Sequence, residues 1–118
     1  MKYVRVVNVT QGTELAREVR VATSLRARVI GLLGTRTLPR GEGLWISPCR
    51  MIHTLGMRYP IDILFLDRRS VVIHQRTLPP WRLSRWVGRA RGVLELPAGV
   101  LKLTRTRRGD RLQMKEAR

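Results

Sequence analysis

The chain has 118 residues, of which 43% are hydrophobic, 27% charged and 5% aromatic, and its formal net charge is +16. That length suits one domain that buries about two-thirds of the surface its unfolded chain would expose; it excludes a second core, and the balanced composition excludes a long disordered region. No apolar run approaches the ~20 residues that span a bilayer, and Met1 to Arg5 opens into alternating residues instead of a signal-peptide stretch, so a cytoplasmic location without a membrane partner is expected.

Tyr3 to Val7 reads as a first strand, Gln11-Gly12-Thr13 as a turn, and Glu14 to Val21 as a second strand. Thr23 or Ser24 can then cap a helix in which Leu25, Val29, Leu32 and Leu33 recur at helical spacing until Gly34. This is the main helix expected, near residues 24–33. Pro39 to Gly43 breaks the pattern and Leu44-Trp45-Ile46 makes a short strand. Met51 to Met57 is expected to be extended, and Pro60 disfavours helix at Tyr59. Ile61 to Leu66 and Ser70 to Arg76 look like a hairpin around the turn Asp67-Arg68-Arg69, followed by a stiff Leu78-Pro79-Pro80-Trp81 linker of polyproline character. Arg91 to Leu96 and Arg111 to Met114 are the last strands, with turns at Pro97-Ala98-Gly99 and Gly109-Asp110. The expectation is a mainly β fold, a small jelly-roll-like sandwich or barrel of about seven short strands that closes to protect its edges.

Two features bear on partners. Lysine occurs only at Lys2, Lys102 and Lys115, so the other 21 basic residues are arginine, a skew that GC-rich coding produces by itself. The acids number only 8, however, and codon bias does not explain their scarcity, which leaves a positive field able to attract anions. Cys49 is the single cysteine, so no disulfide partner exists within the chain, as is usual in a reducing compartment.

The run Cys-x-x-Ile-His-Thr-x-Gly-Met-Arg-x-Pro-Ile-Asp-x-x-Phe-Leu-Asp over residues 49–67 is the most informative stretch. Together with Leu78-Pro79-Pro80-Trp81-Arg82, Val93 to Gly99, Gly109-Asp110 and the earlier Gly31-Leu32-Leu33-Gly34, it resembles the domain-of-unknown-function 192 family of bacteria and archaea, over roughly Val21 to Met114. The resemblance implies a compact, mostly β, jelly-roll-like domain. It carries no established activity and so lends no catalytic residues. Family members often continue after the Ala-Gly turn with a short helical stretch, whereas the Arg/Thr-rich Val100 to Arg108 reads as less clearly helical here.

Within residues 49–67, Cys49 and His53 have the chemistry of a nucleophile and base, and with Asp62 they would make a Cys/His-dependent or metal-dependent hydrolase. In an extended strand at ~3.3 Å per residue, positions four apart sit ~13 Å from each other. Proton transfer needs about 3 Å, so the pair reacts only if the segment turns, and a structural role for both is favoured. Cys49, His53, Asp62, Asp67 and His74 show no tight ligand spacing, and no metal or cofactor is predicted. Asp62 shares strand parity with Leu64 and Leu66 and is expected to face inward, accepting backbone or Arg58 hydrogen bonds at the Pro60-Ile61-Asp62 corner. Glu95, between Leu94 and Leu96, is expected to pair with an arginine.

The leading functional expectation is a cleft for a small polar or anionic ligand, or a protein partner, built from His53, Thr54, Arg58, Asp62, Trp81, Arg82 and Glu95. The main rival is a nucleic-acid-binding module in which Trp86 stacks on bases while Arg85, Arg89, Arg91, Arg105, Arg107 and Arg108 neutralise phosphates. Trp81 could equally be a lid over the barrel core.

Overall fold

A computed structural model describes residues 2–24, 32 and 35–117. Among these residues seven strands form one sheet: β1 (Tyr3–Asn8), β2 (Thr13–Ala22), β3 (Glu42–Ile46), β4 (Ile61–Leu66), β5 (Val72–Leu78), β6 (Gly92–Pro97) and β7 (Leu112–Glu116), with one short helix, α1 (Val100–Leu103). The fold is mainly β, as its sequence patterning indicates. The main helix expected near residues 24–33 falls largely outside the described residues.

The strand order is β5-β4-β6-β3-β2-β1-β7. β2 and β3 run parallel and the other neighbours are antiparallel. A parallel pair needs a long crossover, which residues 23–41 supply. The sheet curls into a half-barrel whose two edge strands meet at one corner. There Val71 bridges Arg111, the Val72 N–H donates to the Asp110 carbonyl at 2.8 Å, and the Leu112 N–H donates to the Ser70 carbonyl at 2.9 Å. These bonds occupy part of what would otherwise be two open edges.

Alternation along the strands sorts side chains into two cores, because successive residues point to opposite faces. Val6, Val19, Trp45, Leu64, Leu66, Leu94 and Leu96 pack inside the half-barrel with Leu101 and Leu112. Leu44, Ile46, Ile61, Ile63, Phe65 and Val93 pack on the outer face, beneath Ile52, Met57 and Ala90 of the connecting segments. All six residues of β4 are buried, as expected of a central strand covered on both sides.

Three local expectations are corrected. Met51 to Met57 is extended only in its first half: Met51 to Thr54 runs beside the Leu83 segment through the His53–Leu83 bridge, and the chain then turns at Leu55-Gly56, with Gly56 at φ 81°. The second hairpin arm runs Val72–Leu78, two residues later than its alternation suggests, so Leu78 ends a strand instead of opening the linker. Residues 100–103 are helical, because Gly99 at φ 99° turns the chain and Val100 and Leu101 drive their side chains into the inner core.

Candidate functional site

The mouth of the half-barrel, between the β5 edge and the α1 turn, holds a cleft of about 650 Å³. Asp62, Gln75, Arg76 and Thr77 line it from the sheet, Lys102 lines it from α1, and Arg105, Thr106 and Arg107 line it from the segment that follows. The residues come from points far apart in sequence and meet because β4 and β5 pair while α1 packs across the open end.

Asp62 is buried at the floor of this cleft, and its two carboxylate oxygens are engaged by neighbours. Oδ1 accepts from the Thr77 hydroxyl at 2.6 Å, and Oδ2 accepts from the backbone N–H groups of Gly99 and Leu101, each at 3.0 Å. Asp62 therefore faces inward, as its parity indicates. Its donors are the α1 entry turn and β5, and no Arg58 bond is among them; the corner it fixes lies across the cleft and not at Pro60.

With that carboxylate held in internal bonds, Arg76, Lys102, Arg105 and Arg107 surround the opening as exposed cations. Among the described residues none of the four makes an ion pair; the pairs present join Glu14 to Arg5 and Arg17. Gln75 adds a different signal. Its amide nitrogen donates to the Thr106 carbonyl at 3.0 Å, which fixes the amide's orientation, and its buried Oε1 is left without a donor. A solute presenting negative charge to the rim would satisfy the cations, whereas Gln75 Oε1 lies too deep to be reached from the opening.

Behind the cleft, Asp110 anchors the closing loop. Burial pushes its pKa up, but hydrogen bonds from the Asn8 side chain, the Arg107 N–H and the Gln11 side chain outweigh that and hold it below the usual carboxylate range.

The other expected site residues lie elsewhere. Glu95 faces the outer core, where it is 3% exposed and its Oε2 has no hydrogen-bond partner. Among the described residues no arginine forms an ion pair with it, although the charge of Arg20 acts on it: burial drives its pKa up to about 8, and Arg20 only partly offsets that. His53, Thr54, Trp81 and Arg82 belong to a loop ribbon on that outer face. Its two arms, residues 50–54 and 81–87, run antiparallel through bonds such as Thr54 N–H to the Arg82 carbonyl and Ser84 N–H to the Ile52 carbonyl, both 2.8 Å. Thr54 is buried and its hydroxyl donates to the Pro79 carbonyl and accepts from the Arg82 N–H, a structural tie. Arg58 is exposed beside this ribbon in sequence. Trp81 is 64% exposed, which overturns its reading as a lid.

Cys49 and His53 each bond backbone of their own segment. The Cys49 thiol donates to the Met51 carbonyl at 3.1 Å, and His53 Nδ1 accepts from the Leu55 N–H at 3.1 Å. Among the described residues no three His, Cys, Asp or Glu side chains converge to hold a metal ion. The arginines expected to contact nucleic acid divide: Arg85, Arg89 and Trp86 are exposed on the ribbon, Arg91 lies over the Trp45 ring at 5.6 Å, and Arg105 and Arg107 line the cleft. Arg85 and Arg108 both act on His74, whose pKa is lowered first by burial and then by the charges of Arg85, Arg76 and Arg108.

Residues 6–114 match the DUF192 family, described as an uncharacterized ACR. The chain belongs to that family. A UPF0127 protein of Pyrococcus furiosus is 32% identical over 111 residues, covering 90% of this chain and 94% of the relative. A UPF0127 protein of Pyrococcus horikoshii is 32% identical over 113 residues, covering 92% and 96%. Two crystal structures share the fold. A Sinorhizobium meliloti protein, proposed to be a transcription regulator, superposes with a TM-score of 0.78 at 24% identity over 97% of this chain and 96% of its own. A Novosphingobium aromaticivorans protein of unknown function superposes with a TM-score of 0.80 at 19% identity over 94% and 83%. In this DUF192 chain the family's central run thus supplies the strand β4, the Asp62 anchor and one arm of the outer ribbon.

The sequence reading missed Arg76, Lys102 and Gln75 as cleft residues. Nothing local marks Arg76 or Gln75, which reach the cleft only through the β4–β5 register.

Proposed function

We propose that this protein binds a small anionic ligand in the cleft floored by Asp62 and rimmed by Arg76, Lys102, Arg105 and Arg107. The observation that carries the reading is the arrangement of charge: four cations without ion-pair partners among the described residues surround a concavity whose carboxylate is already held by Thr77, Gly99 and Leu101. Cations placed around a concave, partly dry wall attract counter-ions more strongly than the same charges scattered over a convex surface. The exposed Thr77 and half-buried Gln11 in the lining favour ligands that also carry hydroxyl groups, such as a sugar phosphate or a hydroxycarboxylate, over a bare inorganic anion.

Thermal unfolding in the presence of phosphate, pyrophosphate, glucose 6-phosphate and citrate tests this. A ligand bound to the folded state alone raises the midpoint in proportion to ln(1 + [L]/Kd). At least one hydroxyl-bearing anion is expected to stabilise the wild type more than phosphate does. The double variant R105S/R107S should bind it about tenfold or more weakly, since a hydrogen bond to a charged group contributes roughly 1.5–3 kcal/mol. The exposed R17S serves as a charge control. Equal responses from R105S/R107S and the wild type, or no stabilisation by any of the four anions, would overturn the reading.

A further inference from the structure

Five of the seven large apolar side chains exposed among the described residues, Met51, Leu55, Trp81, Leu83 and Trp86, lie on the two arms of the outer ribbon or directly beside them. Their clustering follows from the ribbon's geometry. Ile52, Thr54 and Ser84 turn inward and are buried, so Met51, His53 and Leu55, which alternate with them, turn outward; the His53–Leu83 bridge places Leu83 on that side too. Apolar surface of this kind on a soluble fold marks an interaction site.

The charge around it restricts the occupant. Residues 49–58 and 81–91 contain Arg50, Arg58, Arg82, Arg85, Arg89 and Arg91 and not one Asp or Glu. A second copy of the chain would bring like charges together across the contact, so self-association is disfavoured. Single-stranded nucleic acid could use the two indoles for stacking, but Met51, Leu55 and Leu83 have no ring to offer a base. A lipid surface uses every member of the set: aliphatic chains enter the headgroup–acyl boundary, tryptophans settle at the interface, and arginines meet anionic headgroups.

We propose that this face docks peripherally on an anionic membrane surface, with Met51, Leu55, Trp81, Leu83 and Trp86 entering the interface and the ribbon arginines engaging lipid phosphates. Such docking needs no spanning segment, and no helix among the described residues is long and apolar enough to be one. The surface is separate from the anion cleft: the ribbon packs on the Ile61, Ile63 and Phe65 side of β4, whereas Asp62 faces the other side. The two proposals therefore fail independently.

Tryptophan emission reports this contact directly, because Trp81 and Trp86 are exposed while the third tryptophan, Trp45, is buried. The full chain is mixed with vesicles of phosphatidylcholine containing phosphatidylglycerol, and with vesicles of phosphatidylcholine alone. Expected results are co-sedimentation with the anionic vesicles, a blue shift of emission, and quenching by lipids brominated along the acyl chain. W81S/W86S should weaken partitioning by about tenfold or more, given the apolar area lost, and L83S should weaken it less. R82S/R85S should reduce binding and its salt sensitivity together. Since these side chains are exposed, unchanged thermal unfolding is expected for each variant.

Binding to vesicles without quenching, or with W81S/W86S behaving as wild type, would mean electrostatic adsorption only and overturn the proposal. Failure to bind anionic vesicles would do the same. Tryptophan-dependent binding of oligo(dT) that vesicles do not displace would assign the face to single-stranded nucleic acid instead.

Discussion

Asp62 and Glu95 sit on adjacent strands one register step apart and face opposite sides of the sheet. Asp62 lies opposite Leu96 and Ile63 opposite Glu95, and residues directly opposed across an antiparallel pair share a face. Asp62 thus reaches the cleft, while Glu95 lies in a row with Leu44 and Ile63 in the outer core. One carboxylate has three donors and the other has a buried oxygen with none.

The buried position of Glu95 predicts a stability that falls as pH rises. Its folded pKa is raised from 4.5 to about 8, so between those values the folded chain holds a proton that the unfolded chain has released. Stability from this source is fully present below pH 4.5 and is lost as pH climbs through about 8, with a limiting slope of roughly 1.4 kcal/mol per unit. His74 acts in the opposite sense below its ordinary value of 6.5, because its lowered pKa makes protonation favour unfolding. The window from 6.5 to about 8 therefore isolates Glu95. Urea unfolding across it should show E95Q with a flatter profile and higher stability than wild type at its alkaline end. Parallel profiles for the two proteins would remove Glu95 as the cause.

Asp62 predicts a different pattern, in which shape and hydrogen bonding matter more than charge. Asp62→Ala leaves the Gly99 and Leu101 N–H groups and the Thr77 hydroxyl without their acceptor. The expected loss is about 3 kcal/mol or more, from several donors stranded at once. Asp62→Asn keeps the geometry: its carbonyl oxygen can accept from the two N–H groups while its amide donates to Thr77, so it should lose less than half as much. Hydrogen exchange at the Leu101 amide gives a local reading, fast in D62A and close to wild type in D62N. Similar losses for both variants would show that the negative charge itself holds the turn.

Much of this arrangement was legible in the sequence because strands announce themselves locally. The apolar run Ile61–Leu66, the Asp67-Arg68-Arg69 turn and the inward parity of Asp62 depend on neighbours one or two residues away, and each appears in the fold. Glu95 was harder: its own strand shows only Leu94 and Leu96 beside it, whereas the face it takes depends on register with β3 and β4. Trp81 shows the same limit, since an indole between prolines and arginines has the same local pattern as a lid or as a surface group. The cleft was least visible, because Gln75, Arg76 and Arg105 are unremarkable until strand pairing and α1 bring them to one opening.

Gly92 should tolerate no side chain. A Cβ there would lie 2.5 Å and 2.6 Å from two carbons of the Trp45 ring and 2.7 Å from the Ile46 carbonyl oxygen. The ring is also packed in the inner core, and the Arg91 guanidinium lies 5.6 Å from its centroid. Gly92→Ala is expected to destabilise by about 1–3 kcal/mol, the usual consequence of overpacking. Combining it with Trp45→Leu should cost less than the sum of the two single changes, since the smaller side chain vacates the clash. Strict additivity in denaturant unfolding would place the strain at the Ile46 carbonyl instead.

Thr54 should govern the ribbon locally and leave the sheet unaffected. Its side chain joins the two arms from beneath, donating to the Pro79 carbonyl and accepting from the Arg82 N–H, while its own N–H donates to the Arg82 carbonyl. Thr54→Val preserves shape and removes the hydroxyl, leaving a buried donor and acceptor unmatched at a cost of about 1–3 kcal/mol. Because these bonds lie outside the β4–β6 ladder, the loss should appear first as local opening. Amide exchange at Arg82 and Ser84 should accelerate well before that of Leu64 or Leu94, and Thr54→Ser, which restores the hydroxyl, should recover most of the protection. Uniform acceleration through ribbon and sheet would instead mean that the two unfold as one cooperative unit, with Thr54 contributing to global stability.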